Sequence, residues 1–287
     1  MRTCLFSMDL RAESMPFIRA LIDAVHEVGI VLYRHTATEG QEMDSLPVIH
    51  STQDLADKKI DCILAAGGDG TMLKAAAFAG KLQIPLLGLN LGRLGFLAVV
   101  EKDEIKSMAW ALKAQEFTIE RRTTLKMISS PDVFDQNVFA LNDFTLVKRD
   151  NSSMIRIHTM LNGEFLNTYW ADGLILATPT GSTGYSLACG GPIVFPQSSN
   201  FVLTPIAPHN LNVRPIVISD DSVLEFNVEG RTDTFLCTMD SYFGQVTSEH
   251  QIILRKNDFD INLIRLEGYT FLKTLRKKLM WGLDQRN

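Results

Sequence analysis

Ile63-Leu64-Ala65-Ala66-Gly67-Gly68-Asp69-Gly70-Thr71-Met72-Leu73-Lys74 is the stretch on which the fold turns. The largely apolar run Ile60–Ala66 has the length and composition of a buried strand. Gly67, Gly68 and Gly70 allow a tight backbone turn, and residues 70–79 read as a helix beginning there. Strand, glycine turn and helix in that order open a βαβ unit. The free N–H groups at such a helix start suit an anion such as phosphate. Asp69 stands in the middle of this turn. A carboxylate beside a phosphate is repulsive unless a metal ion or a proton-donating hydroxyl shares the space, and phosphoryl transfer uses both. Asp69 could instead cap the helix, although a cap does not account for three surrounding glycines. The stretch is not a Walker loop, because no Gly-Lys-Ser/Thr follows, and the Gly-x-Gly-x-x-Gly fingerprint is absent.

The rest of the first third keeps the same rhythm. Thr3–Phe6, Ile30–Tyr33 and Pro85–Gly88 read as strands, and Asp103–Ala114 as a helix. Phe17, Ile18, Leu21, Ile22 and Val25 recur at helical spacing over Met15–Val28, which Gly29 ends. A Rossmann-like parallel sheet with helices on its faces is expected over residues 1–116. Beyond residue 116 short alternating runs take over: Phe117–Glu120, Lys126–Ser129, Val138–Lys148, Met154–Leu161, Glu164–Trp170 and Leu174–Thr178. Further strands are expected at Pro215–Ile218, Val223–Val228, Thr234–Met239, Ile252–Arg255 and Ile261–Leu266. Asn162-Gly163 is a hairpin signal between two of these runs. An all-β sandwich over residues 117–266 follows. The tail 269–283 reads as a helix with Phe271, Leu272, Leu275 and Leu279 on one face and a solvated Arg276-Lys277-Lys278 off it.

Composition narrows the function. The formal net charge of −5 provides no global field for nucleic acid or anionic membrane, so an anionic ligand needs local positive charge. The four cysteines, at 4, 62, 189 and 237, form no Cys-x-x-Cys, which speaks against a zinc knuckle or a redox motif. Reduced thiols, no secretory pattern at the N-terminus and no apolar run of membrane length lead to the expectation of a cytoplasmic protein.

Four more segments carry polar chemistry. Residues 178–186 read Thr-Pro-Thr-Gly-Ser-Thr-Gly-Tyr-Ser, a density of hydroxyls that one capped turn does not explain and that suits ribose or phosphate. Asn142-Asp143 interrupts an apolar run and offers donors and acceptors for adenine or ribose, or else marks a bulge. Gly88–Phe96 follows a strand, where α/β sheets bind ligands; Arg93 is a phosphate candidate and Phe96 a stacking one. Pro205–Pro215 reads as a rigid polar loop containing His209 and Arg214, which either serve a ligand or fix the turn.

Taken together, Gly67-Gly68-Asp69-Gly70-Thr71, Gly92-x-x-Gly95-Phe96, Asn142-Asp143, Asp172-Gly173 through Pro192, and Pro205-Ile-x-Pro208-His209 with Arg214-Pro215 resemble the NAD kinase family. The glycine-aspartate turn alone is shared with lipid kinases and phosphofructokinases; the run from Thr178 to Tyr185 is more specific. The resemblance implies an N-terminal α/β domain, a C-terminal β-sandwich, a tail (267–287) returning to the first domain, and NAD bound in a cleft. It implies transfer of the γ-phosphoryl of ATP to the 2′-hydroxyl of the adenosine ribose, a divalent metal (Mg or Mn), and a homodimer or homotetramer sharing the NAD site. Carried over by position, Asp69 is the catalytic residue, linked to any metal only indirectly. Asp69, Gly70, Phe96, Asn142, Asp143, Asp172, Thr180, Thr183, Gly184, Tyr185 and Ser186 then line the NAD site. Gly67, Gly68, Gly70, Thr71, Lys74 and Arg93, with Arg122 in reserve, face the phosphates of ATP. Asp240 resembles a family aspartate near the end of the sandwich. Three positions depart from the family: Gly184 stands where Ala is usual, Asp143 where Glu is, and Trp170 where a basic or small residue often stands. Rival expectations are a diacylglycerol- or sphingosine-type lipid kinase, which would lack the hydroxyl-rich run, and a non-catalytic dinucleotide sensor, for which Asp69 would be superfluous.

Overall fold

The computed structural model describes residues 1–8, 10–40, 43–135, 137–149 and 153–282. Its chain divides into two compact units, residues 1–121 with 261–287 and residues 122–260. Among the described residues no helix is long and apolar enough to cross a membrane.

The first unit opens with β1 (Arg2–Phe6), α1 (Met15–Glu27), β2 (Val31–His35), β3 (Val48–Ile49) and α2 (Thr52–Asp57). It continues with β4 (Cys62–Gly67), α3 (Asp69–Ala79), β5 (Leu86–Asn90), β6 (Ala98–Val100), α4 (Ile105–Ala114) and β7 (Phe117–Arg122). The apolar stripe of α1 is buried as its spacing requires, and Gly29 ends the helix at a φ of +72°, where a side chain would be strained. β1 pairs in parallel with β2 on one side and β4 on the other, and β4 pairs in parallel with β5. The chain therefore reverses its direction of travel across the sheet at β1, and the carboxyl ends of β1 and β4 flank a topological switch point. β4 and β5 are buried on both faces, which explains their unbroken apolar runs.

The second unit contains β8 (Leu125–Ser130), β9 (Asp143–Lys148), β10 (Ile155–Leu161), β11 (Glu164–Ala171), β12 (Gly173–Ala177), α5 (Tyr185–Ala188) and β13 (Asn200–Ile206). β14 (Ile216–Ser219), β15 (Leu224–Glu229), β16 (Phe235–Met239), β17 (Tyr242–Val246) and β18 (Gln251–Lys256) complete it. One sheet has the order β11-β10-β15-β18-β8 and the other β14-β13-β12-β9-β16-β17. Phe144, Leu146, Leu174 and Phe201 from the second sheet share one core with Ile157, Phe226 and Leu254 from the first, which makes the unit a sandwich. The β10–β11 hairpin turns at Asn162 and Gly163 with both φ values positive, as an Asn-Gly turn demands. β12 is buried on its outer face too, where Ile175 and Ala177 meet Val194 and Val202.

The chain then returns through β19 (Ile261–Leu266) and α6 (Phe271–Leu279). Several expectations change. The strands at 117–120 and 261–266 were expected in the sandwich, but β19 pairs in parallel with β5 and β7 lies beside β19, so both belong to the sheet of the first unit. An amphipathic strand pattern does not reveal which sheet receives it. The tail helix stops at Leu279, and of its expected apolar stripe Leu275 is buried while Leu272 is half exposed; residue 283 lies outside the described residues. The predicted strand 138–148 shortens to β9, because residues 138–142 approach it as an irregular segment. The expected polar loop begins at Ala207, because Pro205 and Ile206 belong to the end of β13, where only β12 pairs with it. A proline is tolerated at such a one-sided position.

Candidate active site

In the first unit the helix start is built to leave its turn bare. Gly68 is the N-cap of α3 and has no side chain to satisfy the first-turn N–H groups. A Cβ placed on Gly68 or Gly70 would meet nothing within 4 Å, so both glycines border open space. Gly67 differs: its Cβ would lie 2.1 Å from Thr71 Oγ1, so glycine is what lets that hydroxyl fold over the turn. Lys74 is exposed one turn further along α3, and Arg93 is exposed on the loop after β5.

Asp69 is not the cap but the first helical residue, and its carboxylate reaches across to residues 96–98. The Phe96 N–H donates to Oδ2 at 2.8 Å, and the Leu97 and Ala98 N–H groups donate to Oδ1 at 2.9 and 3.1 Å. Three of about four acceptor positions are thereby used, which leaves one on Oδ2 for a hydroxyl or an ion. Gly95 makes this possible, because a Cβ there would sit 2.0 Å from Oδ1. α6 reinforces the same loop: Phe271 packs near Phe96 with ring centroids 6.3 Å apart, and Lys278 donates to the Leu94 carbonyl. A cavity of about 710 Å³ lies beneath α6, lined by Leu94, Val99, Glu101, Tyr269, Lys277 and Trp281; none of the predicted site residues lines it.

In the second unit the Asn142-Asp143 pair and the hydroxyl-rich run are joined by backbone. Thr178 donates from Oγ1 to the Leu141 carbonyl at 2.5 Å and from its N–H to the Asn142 carbonyl at 2.8 Å. Gly181 crosses this junction so closely that a Cβ would come within 2.1 Å of the Asn142 carbonyl oxygen. Thr145 Oγ1 donates to Asp143 Oδ1 at 3.0 Å, and burial pushes the Asp143 carboxyl up to about 6. Gly184 lies next to it: a Cβ there would be 3.9 Å from Asp143 Oδ2. The Tyr185 phenol is raised by partial burial and then by the charges of Cys189, Asp143 and Asp172, so these groups share one electrostatic neighbourhood. Asp172 is paired with Lys148 at 2.7 Å.

The dense hydroxyls divide into two sets. Thr178, Ser182 and Ser186 are fully buried and hold the segment together. Ser182 Oγ donates to Pro179 and accepts from the Val194 N–H, while Ser186 Oγ is 2.8 Å from Thr204 Oγ1. Ser186, expected to line the NAD site, is therefore a packing residue. Replacing it with Ala leaves the Thr204 hydroxyl unpartnered; the expected outcome is a loss of about 1–2 kcal/mol in unfolding free energy, read by urea denaturation, with the KM for NAD unmoved. Thr180 is also buried, and its Oγ1 accepts from Arg122, itself buried, so Arg122 supports Thr180. Thr183, Gly184 and Tyr185 form the more exposed side of the run. Arg214 is committed to the Leu211 and Val213 carbonyls of its own loop, and His209 stacks on Trp170 at 5.1 Å. The residues least visible in sequence are the N–H donors of Leu97 and Ala98, because a backbone group leaves no residue-type signature.

A bare glycine turn at a helix N-terminus, at the carboxyl edge of a parallel sheet, is the arrangement of a phosphate-binding protein. The pattern of the ATP-NAD kinase N-terminal domain matches residues 26–117, and that of the ATP-NAD kinase C-terminal domain matches residues 141–266. The chain is 51% identical over 229 residues to the NAD kinase of Cytophaga hutchinsonii, covering 80% of this chain and 78% of that one. It is 40% identical over 288 residues to the NAD kinase of Porphyromonas gingivalis, covering 99% of both. The chain belongs to the NAD kinase family. Its fold is similar to that of yeast NADH kinase complexed with NADH (TM-score 0.85, 22% identity, 98% of this chain and 88% of that one). It is also similar to an NAD kinase from Archaeoglobus fulgidus in complex with ATP (TM-score 0.77, 23% identity, 98% and 99% covered). Neither the lipid-kinase nor the sensor expectation finds support in these relatives.

Proposed function

We propose that the chain transfers the γ-phosphoryl group of ATP to the 2′-hydroxyl of the adenosine ribose of NAD, yielding NADP and ADP. Family membership supports the pair of substrates, and the observation that carries the chemistry is the Asp69 carboxylate, held by three N–H donors beside an open glycine turn. The α3 N-terminus with Gly67, Gly68, Gly70 and Thr71 receives phosphate oxygens, and Lys74 and Arg93 offset their charge. The remaining acceptor position of Asp69 orients the ribose hydroxyl and takes its proton. The hydroxyl oxygen bonds to the γ-phosphorus as the bond to the bridging oxygen breaks, and that electron pair leaves with ADP. No covalent enzyme intermediate is needed; positioning and electrostatics supply the rate. Asn142 and Asp143 bind the adenosine half, and Asp172, Thr180, Thr183, Gly184 and Tyr185 shape the dinucleotide pocket of the second unit; Phe96 contacts NAD from the first. Asp143 is one methylene shorter than the usual glutamate, so its reach to a ribose hydroxyl is reduced.

The divalent ion arrives with the substrate. Mg or Mn bound to the phosphates of ATP would offset their charge beside the glycine turn, with Asp69 linked to it only indirectly. The free thiols of Cys4, Cys62, Cys189 and Cys237 support a reducing, cytoplasmic setting. Incubating purified protein with ATP, magnesium and NAD and measuring NADP enzymatically tests the proposal; no NADP above a no-enzyme control would reject it.

A homodimer or homotetramer belongs to the same proposal. In the sandwich, Leu211 is 83% exposed, Phe243 81% and Phe165 61%, with Trp170 half exposed, and these are the apolar side chains that a subunit contact would cover. Light scattering at micromolar concentration is expected to return twice or four times the 32.1 kDa chain mass; a monomer would remove this part.

A further inference from the structure

Asp240 repeats in the second unit what Asp69 does in the first. It sits in the tight turn between β16 and β17 at a φ of +50°, a conformation Asp tolerates better than most residues. The Leu141 N–H donates to its Oδ2 at 2.7 Å, and the Asn142 and Asp143 N–H groups each donate to its Oδ1 at 3.0 Å. The Asp240 N–H donates in turn to the Asp143 carbonyl at 3.1 Å. Four hydrogen bonds thus stitch one turn to three consecutive residues. The carbonyls of Leu141 and Asn142 face the other way and accept from Thr178 at the head of the hydroxyl-rich run. Burial pushes the Asp240 carboxyl up to about 7, helped by the charge of Asp143 and opposed by its three N–H donors. A group so placed is costly to keep and is retained where it fixes its neighbours.

We propose that Asp240 is a positioning residue for NAD: by holding the backbone of 141–143 it sets where Asn142 and Asp143 meet the adenosine and anchors the Thr178–Tyr185 run behind them. The inference rests on the assignment of Asn142 and Asp143 to adenosine. It predicts an effect on one substrate only, since ATP is handled by the glycine turn of the other unit.

Asp240→Ala, Asp240→Asn and Asn142→Ala would be assayed for NADP formation with NAD and ATP varied separately. For Asp240→Ala the KM for NAD is expected to rise by about tenfold or more, because three N–H groups lose their acceptor, while the KM for ATP stays within about twofold. Asp240→Asn is expected to fall between, since its amide oxygen can keep the Asn142 and Asp143 donors and drops that of Leu141. In the ligand-free protein, amide exchange at 141–143 should accelerate in Asp240→Ala while β12 amides stay protected. An unchanged KM for NAD, or an equal rise in both KM values, would overturn the role of Asp240. Should the alanine variant fail to fold, the asparagine variant decides by the same split. If Asn142→Ala raises the KM for NAD and neither Asp240 variant does, Asp240 alone is dismissed; if Asn142→Ala has no effect, the adenosine assignment itself fails.

Discussion

Asp69→Asn is expected to lower the turnover of NADP formation by ~10²–10⁴-fold, the span that a positioned proton acceptor contributes. The substitution is nearly isosteric, so the reason lies in hydrogen-bond polarity. An amide keeps one oxygen, which can go on accepting from Leu97 and Ala98. The other oxygen becomes an NH₂ group aimed at the Phe96 N–H, and donor then faces donor. The same replacement removes the remaining lone pair on Oδ2, the position that orients the ribose hydroxyl and receives its proton. Two effects therefore separate in the kinetics. Loss of the hydroxyl acceptor falls on kcat at saturating NAD, and loosening at Phe96 raises the KM for NAD by a smaller factor. A coupled assay under saturating ATP reads both; turnover near that of the unaltered protein would show that Asp69 only fastens the loop.

The division between what sequence reveals and what it hides follows from side-chain chemistry. β4, β5 and β12 were readable because strands buried on both faces must be apolar throughout, and α1 because a helix on a sheet must show one apolar stripe. α2, six residues long with only Leu55 buried, and β6, three residues long, carry too little pattern to register. β17 hides for another reason: as the last strand of its sheet it leaves Tyr242 and Phe243 exposed, so the alternation of an inward face is blurred. β19 has a clear strand pattern and was still assigned to the wrong unit, since the return of the chain is a long-range event.

The candidate site shows the same logic. Asp69 and Asn142-Asp143 stood out because polar residues among glycines or apolar runs need a reason. The hydroxyl-rich run stood out too, but its density misled in part: Thr178, Ser182 and Ser186 satisfy buried backbone and one another, and only part of the run faces outward. A buried hydroxyl and a ligand-facing one are the same letter. Likewise, Asp69 and Asp240 each grip three consecutive backbone N–H groups, at separations of 27 to 29 and 97 to 99 residues, and no residue type at the receiving end announces it.

Gly95→Ala should be nearly as damaging as removing Asp69, although it adds one methyl group to a loop. The three atoms nearest to its Cβ position all belong to the Asp69 carboxyl group, at 2.0, 2.6 and 2.8 Å. No carbon can sit there, so either the carboxylate leaves or the loop does. If the carboxylate leaves, the N–H groups of Phe96, Leu97 and Ala98 lose their acceptor together, at about 1–3 kcal/mol for each one that water cannot reach. If the loop leaves, the packing of Phe96 near Phe271 and the bond from Lys278 to Leu94 are disturbed instead. Both routes separate Asp69 from its acceptor geometry, so NADP formation is expected to fall by about 10²-fold or more. A double-mutant cycle distinguishes this from ordinary overpacking. With Asp69→Ala already in place the methyl group enters the space the carboxylate vacated, and Gly95→Ala should then cost less than about 1 kcal/mol in stability and almost nothing further in rate. Additive losses in the cycle would mean that Gly95 acts through some contact other than Asp69, and that the close approach of glycine to carboxylate is not what builds the site.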